Sequence, residues 1–240
     1  CGLIMFDNLS SAGILFMTCI VVLFIGRVST KFILAIIGSG VLMVSLIVAF
    51  SWFFLPDHGR ADVWIQRVES WQNPDINSDE FYQQKQAYIA IAKGGLFRLA
   101  PGESTQCNFL LDAFTEFIYS TLIEEYGMLG GAFVLFLYLF FMWRLIILVK
   151  NSPRAFGALM AVGLGVSMVL QAIIHMGVNV HLLPNTGITL PFISWGGTRI
   201  WFNAFAIGII LSVSRHVEEK VQSAPPAVKS KKKVVDEIHG

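Results

Sequence analysis

Five apolar runs, at about residues 11–26, 32–54, 117–149, 156–182 and 200–214, constrain this chain more than any other feature. A helix needs about 20 mostly apolar residues to cross roughly 30 Å of hydrocarbon, so the three middle runs qualify and the outer two are short. With 55% hydrophobic and 14% charged residues, against about 25% charged in soluble domains, the composition excludes a soluble globular enzyme. The net charge of +1 conceals a segregation of charge along the chain, and nothing in it points to nucleic acid. Arg27 and Lys31 separate the first two runs, Arg144, Lys150 and Arg154 surround the junction of the third and fourth, and Lys231, Lys232 and Lys233 lie in the tail. The positive-inside rule places these ends in the cytoplasm. Residues 56–116 then form a large external loop, with five Lys/Arg and nine Asp/Glu. Loops of this length are usually functional or disordered. Trp64, Val68 and Trp71 recur within it at helical spacing, predicting either an interfacial helix or a helix packed on its own domain. Cys1, Cys19 and Cys107 lack the spacing of a zinc site or a disulfide framework. The chain opens on Cys and shows no secretory signal pattern, which suggests the later part of a longer protein.

The prediction is therefore an all-α integral membrane protein. It is a polytopic helical bundle over residues 1–215 with a large extracytoplasmic loop, a re-entrant segment before the last helix, and a disordered cytoplasmic tail over 216–240. Three sets of polar groups interrupt its apolar sequence. Ser167, Gln171, His175 and Asn179 recur every four residues in the fourth run, a slowly drifting stripe that faces protein or water. Thr115, Glu116, Glu124 and Glu125 open the third run, where ionisable groups near bilayer depth are functional candidates by default. Glu116 stands at the junction of loop and helix, within reach of both water and a bound substrate, and is the best-placed base. Glu124 shares a face with Gly127 and Gly131, whose spacing allows close helix approach, and reads equally as a structural group. The third set is the segment from Leu183 to Arg199, whose two prolines and three glycines forbid a continuous helix. Non-helical backbone at membrane depth is tolerated where protein buries it or where it lines a cavity. Gly196 and Gly197 offer either backbone amides to a phosphate or a tight turn.

That segment resembles the signature of the SEDS family (shape, elongation, division and sporulation; FtsW, RodA and SpoVE). Its Pro-x-Thr-Gly-x-x-Leu-Pro-Phe-x-Ser-aromatic-Gly-Gly pattern runs from Pro184 to Gly197, and includes Thr186, Gly187, Pro191 and Ser194. Further matches follow in family order: Asp7 with Ser11 and Ala12, Tyr82-Gln83, Gly94-Gly95, Pro101-Gly102 with Ser104 and Gln106, Thr115-Glu116-Phe117-Ile118, and Glu124-Glu125-Tyr126-Gly127. The stretch from Thr186 to Pro191 looks more like the FtsW branch than the RodA branch. Departures stand beside the matches: Glu116 where the family has Asp, His175 for Asn, His181 for Gly, Trp195 for Tyr, Arg199 for Ser, and Leu111 for Pro.

The resemblance implies a multi-pass protein of the bacterial cytoplasmic membrane, with its C-terminus in the cytoplasm, that polymerises lipid II into glycan strands during cell division. The transfer inverts the anomeric carbon and releases undecaprenyl pyrophosphate. The implied partners are a class B penicillin-binding protein and other division proteins. Two other classes share these features: a catalytically impaired scaffold that binds lipid II or a penicillin-binding protein, and a lipid II flippase, since broken segments and buried polar groups also mark transporters. For the transferase, Glu116 is the catalytic base, and an inverting transfer also needs cations or backbone dipoles for the leaving group. The substrate-binding candidates are Thr115, Lys85, Lys93, Arg98, Gln106, Thr186, Ser194, Gly196, Gly197 and Arg199. Supporting roles fall to Glu124, Glu125, Gln171, His175, Asn179, Pro184, Gly187 and Pro191. Because the loop is net negative and the substrate anionic, either local cations or a divalent cation must offset the repulsion.

Overall fold

The computed structural model describes residues 4, 8–54, 71, 79–96, 102, 104–106, 110, 113–152 and 154–223. Arg98, Cys1, Cys107, Asp7, Trp64, Val68 and the tail from 224 lie outside these residues. Six helices follow one another: α1 (Leu9–Ile25), α2 (Thr30–Phe54), α3 (Asp79–Gly94), α4 (Ile118–Asn151), α5 (Ala155–Asn179) and α6 (Gly197–Ser223). Four of them, α2, α4, α5 and α6, are long and apolar enough to cross a membrane, and α1 is a shorter apolar helix of 17 residues. The described residues contain no strand, and the architecture is an all-helical membrane bundle.

α5 is its centre. Its apolar window is 44% buried, against 6–11% for the other spans. The buried face explains why: Ala158, Ala161, Val162, Gly165, Val169 and Ala172 are small and helically spaced, and small residues let neighbouring helices approach. A Cβ on Gly165 would stand 2.5 Å from Leu145 Cδ2 of α4. α4, α1 and α6 all pack on α5, whereas α2 packs chiefly on α1 and leaves Phe32, Leu34, Val41 and Leu42 exposed.

Three boundaries differ from the sequence prediction. The apolar run at 117–149 is continuous in composition, yet α4 breaks at Gly127, whose φ of 74° and ψ of 178° are open only to glycine. The first part folds back sharply enough for Tyr119 Oη to donate to the Gly131 carbonyl at 3.2 Å. Gly127 and Gly131 therefore serve a bend within one helix rather than the approach of two. The break also leaves the Met128 N–H without its usual intrahelical partner, and it donates instead to the Gly95 carbonyl at 2.9 Å. The second difference is α3, a helix inside the loop between α2 and α4. Its buried face is Ala87, Ala90 and Gly94, and a Cβ on Gly94 would overlap the Ile123 carbonyl, so only glycine permits this approach to α4. Third, α6 continues through 216 to Ser223, because Val217 is still buried in the helix packing.

Replacing Gly127 with Ala forces a side chain into this conformation and is expected to lower stability by about 1–3 kcal/mol. Gly208→Ala, with open space around it, leaves stability unchanged. Thermal unfolding of the two variants in detergent measures the contrast.

Candidate active site

The stripe on α5 divides into two pairs. His175 and Asn179 are both 1% exposed and bind the loop elements above them, while Ser167 and Gln171, lower on the helix, face a cavity. Asn179 Oδ1 accepts from the Ser120 hydroxyl at 2.8 Å and the Ser120 N–H at 3.2 Å. Its amide nitrogen donates to the Glu116 carbonyl at 3.0 Å, to the His175 carbonyl at 3.0 Å and to His175 Nε2 at 3.3 Å. On the other side of the ring, His175 Nδ1 donates to the Ile188 carbonyl at 2.8 Å. Since a carbonyl only accepts, Nδ1 carries the proton and Nε2 is left as an acceptor for Asn179, which is the neutral tautomer. One histidine thus ties the non-helical segment to the helix, and one asparagine ties the chain preceding α4 to both.

The extended backbone from Pro184 to Leu190 finds its remaining partners in the same way. Tyr138, in the apolar part of α4, donates its hydroxyl to the Pro191 carbonyl. Ser194 Oγ accepts from the Leu190 N–H and donates to the Thr115 carbonyl, both at 2.8 Å. The Trp195 N–H donates to the Phe114 carbonyl at 2.8 Å, with the two rings edge-on at 6.4 Å. Residues 114–116 are therefore held through three consecutive carbonyls, by Trp195, Ser194 and Asn179 in turn. This arrangement fixes the backbone of Glu116, whose side chain is half-buried. Oε1 lies 3.4 Å from where a Cβ would stand on Gly187, whose φ is 64°. Gly187 in turn forms the wall of a cavity of about 410 Å³ between α1, α5, α6 and the extended segment. Its polar lining includes Asn8, Ser167, Gln171, Thr189, Asn203 and a cation, Arg199. Arg199 Nη1 donates to Thr189 Oγ1 at 2.8 Å, which holds the guanidinium beside the extended segment.

A second cluster surrounds Glu124, which is 1% exposed. Its carboxylate accepts from Ser104 Oγ at 2.5 Å, Thr105 N at 3.3 Å, Thr105 Oγ1 at 3.2 Å and Gln106 N at 3.3 Å. Lys93 Nζ donates to Thr105 Oγ1 at 3.0 Å, bringing a positive charge to the edge of the nest. Carboxylates buried with several donors are stable where isolated ones are not. Glu124 thus pins the loop at 104–106 to the short arm of α4, and Lys93 and Gln106 belong to that anchor. The Gln106 side-chain oxygen is buried without a partner. Nearby in the loop, Trp71 Nε1 donates to the His181 carbonyl at 3.3 Å, and the Tyr88 ring meets His181 edge-on at 5.2 Å. Burial pushes the Tyr88 phenol up to about 12, so it stays protonated as a packing group. Among the described residues, no group of three His, Cys, Asp or Glu side chains stands ready to hold a metal ion.

This geometry is assembled largely by the segment 184–197, and comparison with known proteins places that segment in a family. The family model of the FtsW/RodA/SpoVE cell cycle proteins matches residues 1–219. The chain belongs to this family. It is similar to the stage V sporulation protein E of Bacillus subtilis, with 34% identity over 87% of this chain and 55% of that protein. It is also similar to the probable peptidoglycan glycosyltransferase FtsW of Coxiella burnetii, with 30% identity over 90% of this chain and 57% of the relative. The corresponding protein of Hydrogenovibrio crunogenus is 39% identical over 64% of this chain and 40% of its own length. The chain thus spans about half the length of the curated relatives it matches. Among solved structures, a chain of a peptidoglycan synthase complex that coordinates polymerization and crosslinking aligns with a TM-score of 0.58 at 23% identity, over 82% of this chain and 52% of that one. Membership and four spanning helices together make this a multi-pass protein of the bacterial inner membrane.

Of the residues singled out in the sequence, the structure brings Thr115, Glu116, Gln171, His175, Asn179, Gly187, Pro191, Ser194 and Arg199 together at one end of the bundle. Pro184 and Thr186 lie in the extended segment, and Gly196 and Gly197 lead into α6. Lys85 is exposed on α3, Glu125 is half-buried beside the bend, and neither lines the cavity. Sequence reasoning missed Asn8, Ser120, Tyr138 and Asn203. Asn203 carried a usable signal, since it follows Arg199 by four residues on an otherwise apolar helix and so repeats the logic of the α5 stripe.

Two outcomes test this geometry. Asn179→Leu strands the Ser120 donors and the Glu116 carbonyl. It should cost about 1–3 kcal/mol, read as a lower unfolding midpoint. Glu124→Gln places an N–H against donors. Amide exchange at Thr105 and Gln106 should then rise roughly tenfold or more, since bonds to a charged acceptor are worth about 1.5–3 kcal/mol.

Proposed function

We propose that the protein is a peptidoglycan glycosyltransferase that polymerises lipid II during cell division, with Glu116 as its general base. The observation that carries this reading is the pairing of a backbone-anchored carboxyl at Gly187 with a polar cavity holding a cation, at one end of an apolar bundle. The names of the relatives support a transferase rather than a scaffold or a flippase. In the reaction, Glu116 takes the proton of an acceptor sugar hydroxyl as that oxygen bonds to the anomeric carbon of a second lipid II. The bond from that carbon to the pyrophosphate oxygen breaks, with inversion, and undecaprenyl pyrophosphate leaves. The proton transfer requires a heavy-atom separation of about 2.6–3.2 Å. Arg199, held by Thr189, offsets the growing charge on the leaving group as a positioned cation. Lys85 and Arg98 are further sources of positive charge from the loop, and a divalent cation would serve the same purpose. A class B penicillin-binding protein crosslinks the product strands, other division proteins organise the machinery, and the C-terminus lies in the cytoplasm, as the basic junctions support.

The test is lipid II polymerisation by the full-length protein with its penicillin-binding partner. Glu116→Gln is expected to lower the rate at least about 100-fold, and Arg199→Gln by about 100-fold through kcat, with unfolding midpoints unchanged. Polymerisation by Glu116→Gln at the native rate would overturn the assignment.

A further inference from the structure

The other end of the bundle holds a second, smaller cavity that the proposed transferase chemistry does not use. The α4–α5 connection, the first turn of α5 and the C-terminal part of α6 enclose about 240 Å³, with Ser152, Arg154, Gly157, Val213, His216 and Val217 in its wall. Its position is at the boundary of the spanning segments: α4 ends at Asn151, α5 begins at Ala155, and the apolar part of α6 ends at Val217. The wall is graded with depth. Arg154, Ser152 and His216 belong to the rim, whereas Gly157 and Val213, deeper along α5 and α6, meet so closely that a Cβ on Gly157 would stand 3.4 Å from Val213 Cγ1. Phe156, 78% exposed in the first turn of α5, adds an aromatic ring to the lining.

The surrounding charge is predominantly positive. Lys150 and Arg215 adjoin the cavity in sequence. The turn between α1 and α2 brings Arg27 and Lys31 to the same end, since Leu159 of α5 lies 3.8 Å from a Cβ placed on Gly26. Glu218 and Glu219 follow in the sequence, with Lys220 beside them, and leave the excess positive. A cavity polar and cationic at the rim, apolar at the floor, and set at the boundary of the spanning segments matches one class of ligand. We propose that it is a binding site for an anionic phospholipid, with the phosphate diester at Arg154 and Ser152 and the start of an acyl chain against Val213 and Val217. A soluble phosphate would satisfy the rim and leave the apolar floor unused. Basic pockets between spanning helices are known to take anionic headgroups, at about 1 kcal/mol per Lys or Arg near the surface.

The experiment uses the full-length protein in nanodiscs of phosphatidylcholine with a minor fraction of phosphatidylglycerol, and counts by mass spectrometry the lipids that stay bound on transfer to detergent. Retention of phosphatidylglycerol over phosphatidylcholine is expected in the native protein, with Arg154→Gln lowering it about fivefold, the factor equivalent to one surface cation. Lys31→Gln removes the same charge at the same end without touching the cavity and is expected to lower retention less. Arg154 is exposed, and an unchanged unfolding midpoint in pure phosphatidylcholine confirms that its variant folds. Three results would overturn the site: equal retention of the two lipids by the native protein, equal losses from the two variants, or displacement of phosphatidylglycerol by millimolar inorganic phosphate, which would mark a site for the free anion.

Discussion

Asn179 is the residue on which the end of the bundle that carries the 184–197 segment depends. A helix end leaves its last carbonyls unpaired, and a chain that departs from helix inside a membrane leaves still more polar backbone without water to solvate it. Asn179 stands where three such problems meet: the last turn of α5, the first turn of α4 and the chain before it. An amide is suited to this place because it carries an acceptor and two donors in one rigid plane. His175 extends the arrangement by one bond to Ile188, with a proton on Nδ1 and a lone pair on Nε2. The network is closed as long as the ring is neutral, because a second ring proton would face the asparagine's own N–H groups. Buried polar groups that are all paired specify one geometry, and here that geometry is the backbone of residues 114–116.

The same rule explains where helices stop. Each break in helical structure at this end has a named substitute for the lost hydrogen bonds. Gly95 receives the Met128 N–H at the bend of α4, Tyr138 and His175 supply the carbonyls of Pro191 and Ile188, and Ser194 bridges Leu190 and Thr115. Glu124 performs the equivalent service for the loop, collecting the N–H groups of Thr105 and Gln106. The glycines at 94 and 127 are conditions of this design, because backbone can be satisfied by backbone only where two segments come close enough to touch.

Much of this was legible beforehand, in proportion to how local the signal was. Apolar length located the spans, prolines and glycines located the non-helical segment, and four-residue spacing put Ser167, Gln171, His175 and Asn179 on one stripe. The stripe could not reveal its division into a buried pair and a cavity pair, since that depends on where the 184–190 backbone crosses it. Likewise, the bend at Gly127 is hidden in a run whose hydropathy never falters, because glycine changes the permitted φ without changing the apolar character. α3 escaped notice because its buried face is Ala87, Ala90 and Gly94, too small to raise a hydrophobic periodicity that Tyr88 and Ile91 only partly supply. Glu124 was readable as a structural group, but its partners at 104–106 lie about twenty residues upstream, beyond any local pattern.

The positioning of Glu116 leads to a further point about its chemistry. Where relatives in the resemblance carry Asp, this chain carries one more methylene, so the carboxyl extends farther from the same anchored backbone. The extension needs room, and it lies along the side of Gly187 where any Cβ would be in contact with Oε1 at 3.4 Å. What opposes a side chain at 187 is the backbone, since a φ of 64° is one that L residues rarely adopt. Gly187, beside that carboxyl, also lines the cavity that holds the Arg199 guanidinium. A misplacement of about 1 Å is enough to cost about 100-fold in rate. On the proposed transferase reading, the three carbonyl anchors at residues 114–116 are therefore what holds the Glu116 carboxyl within that tolerance.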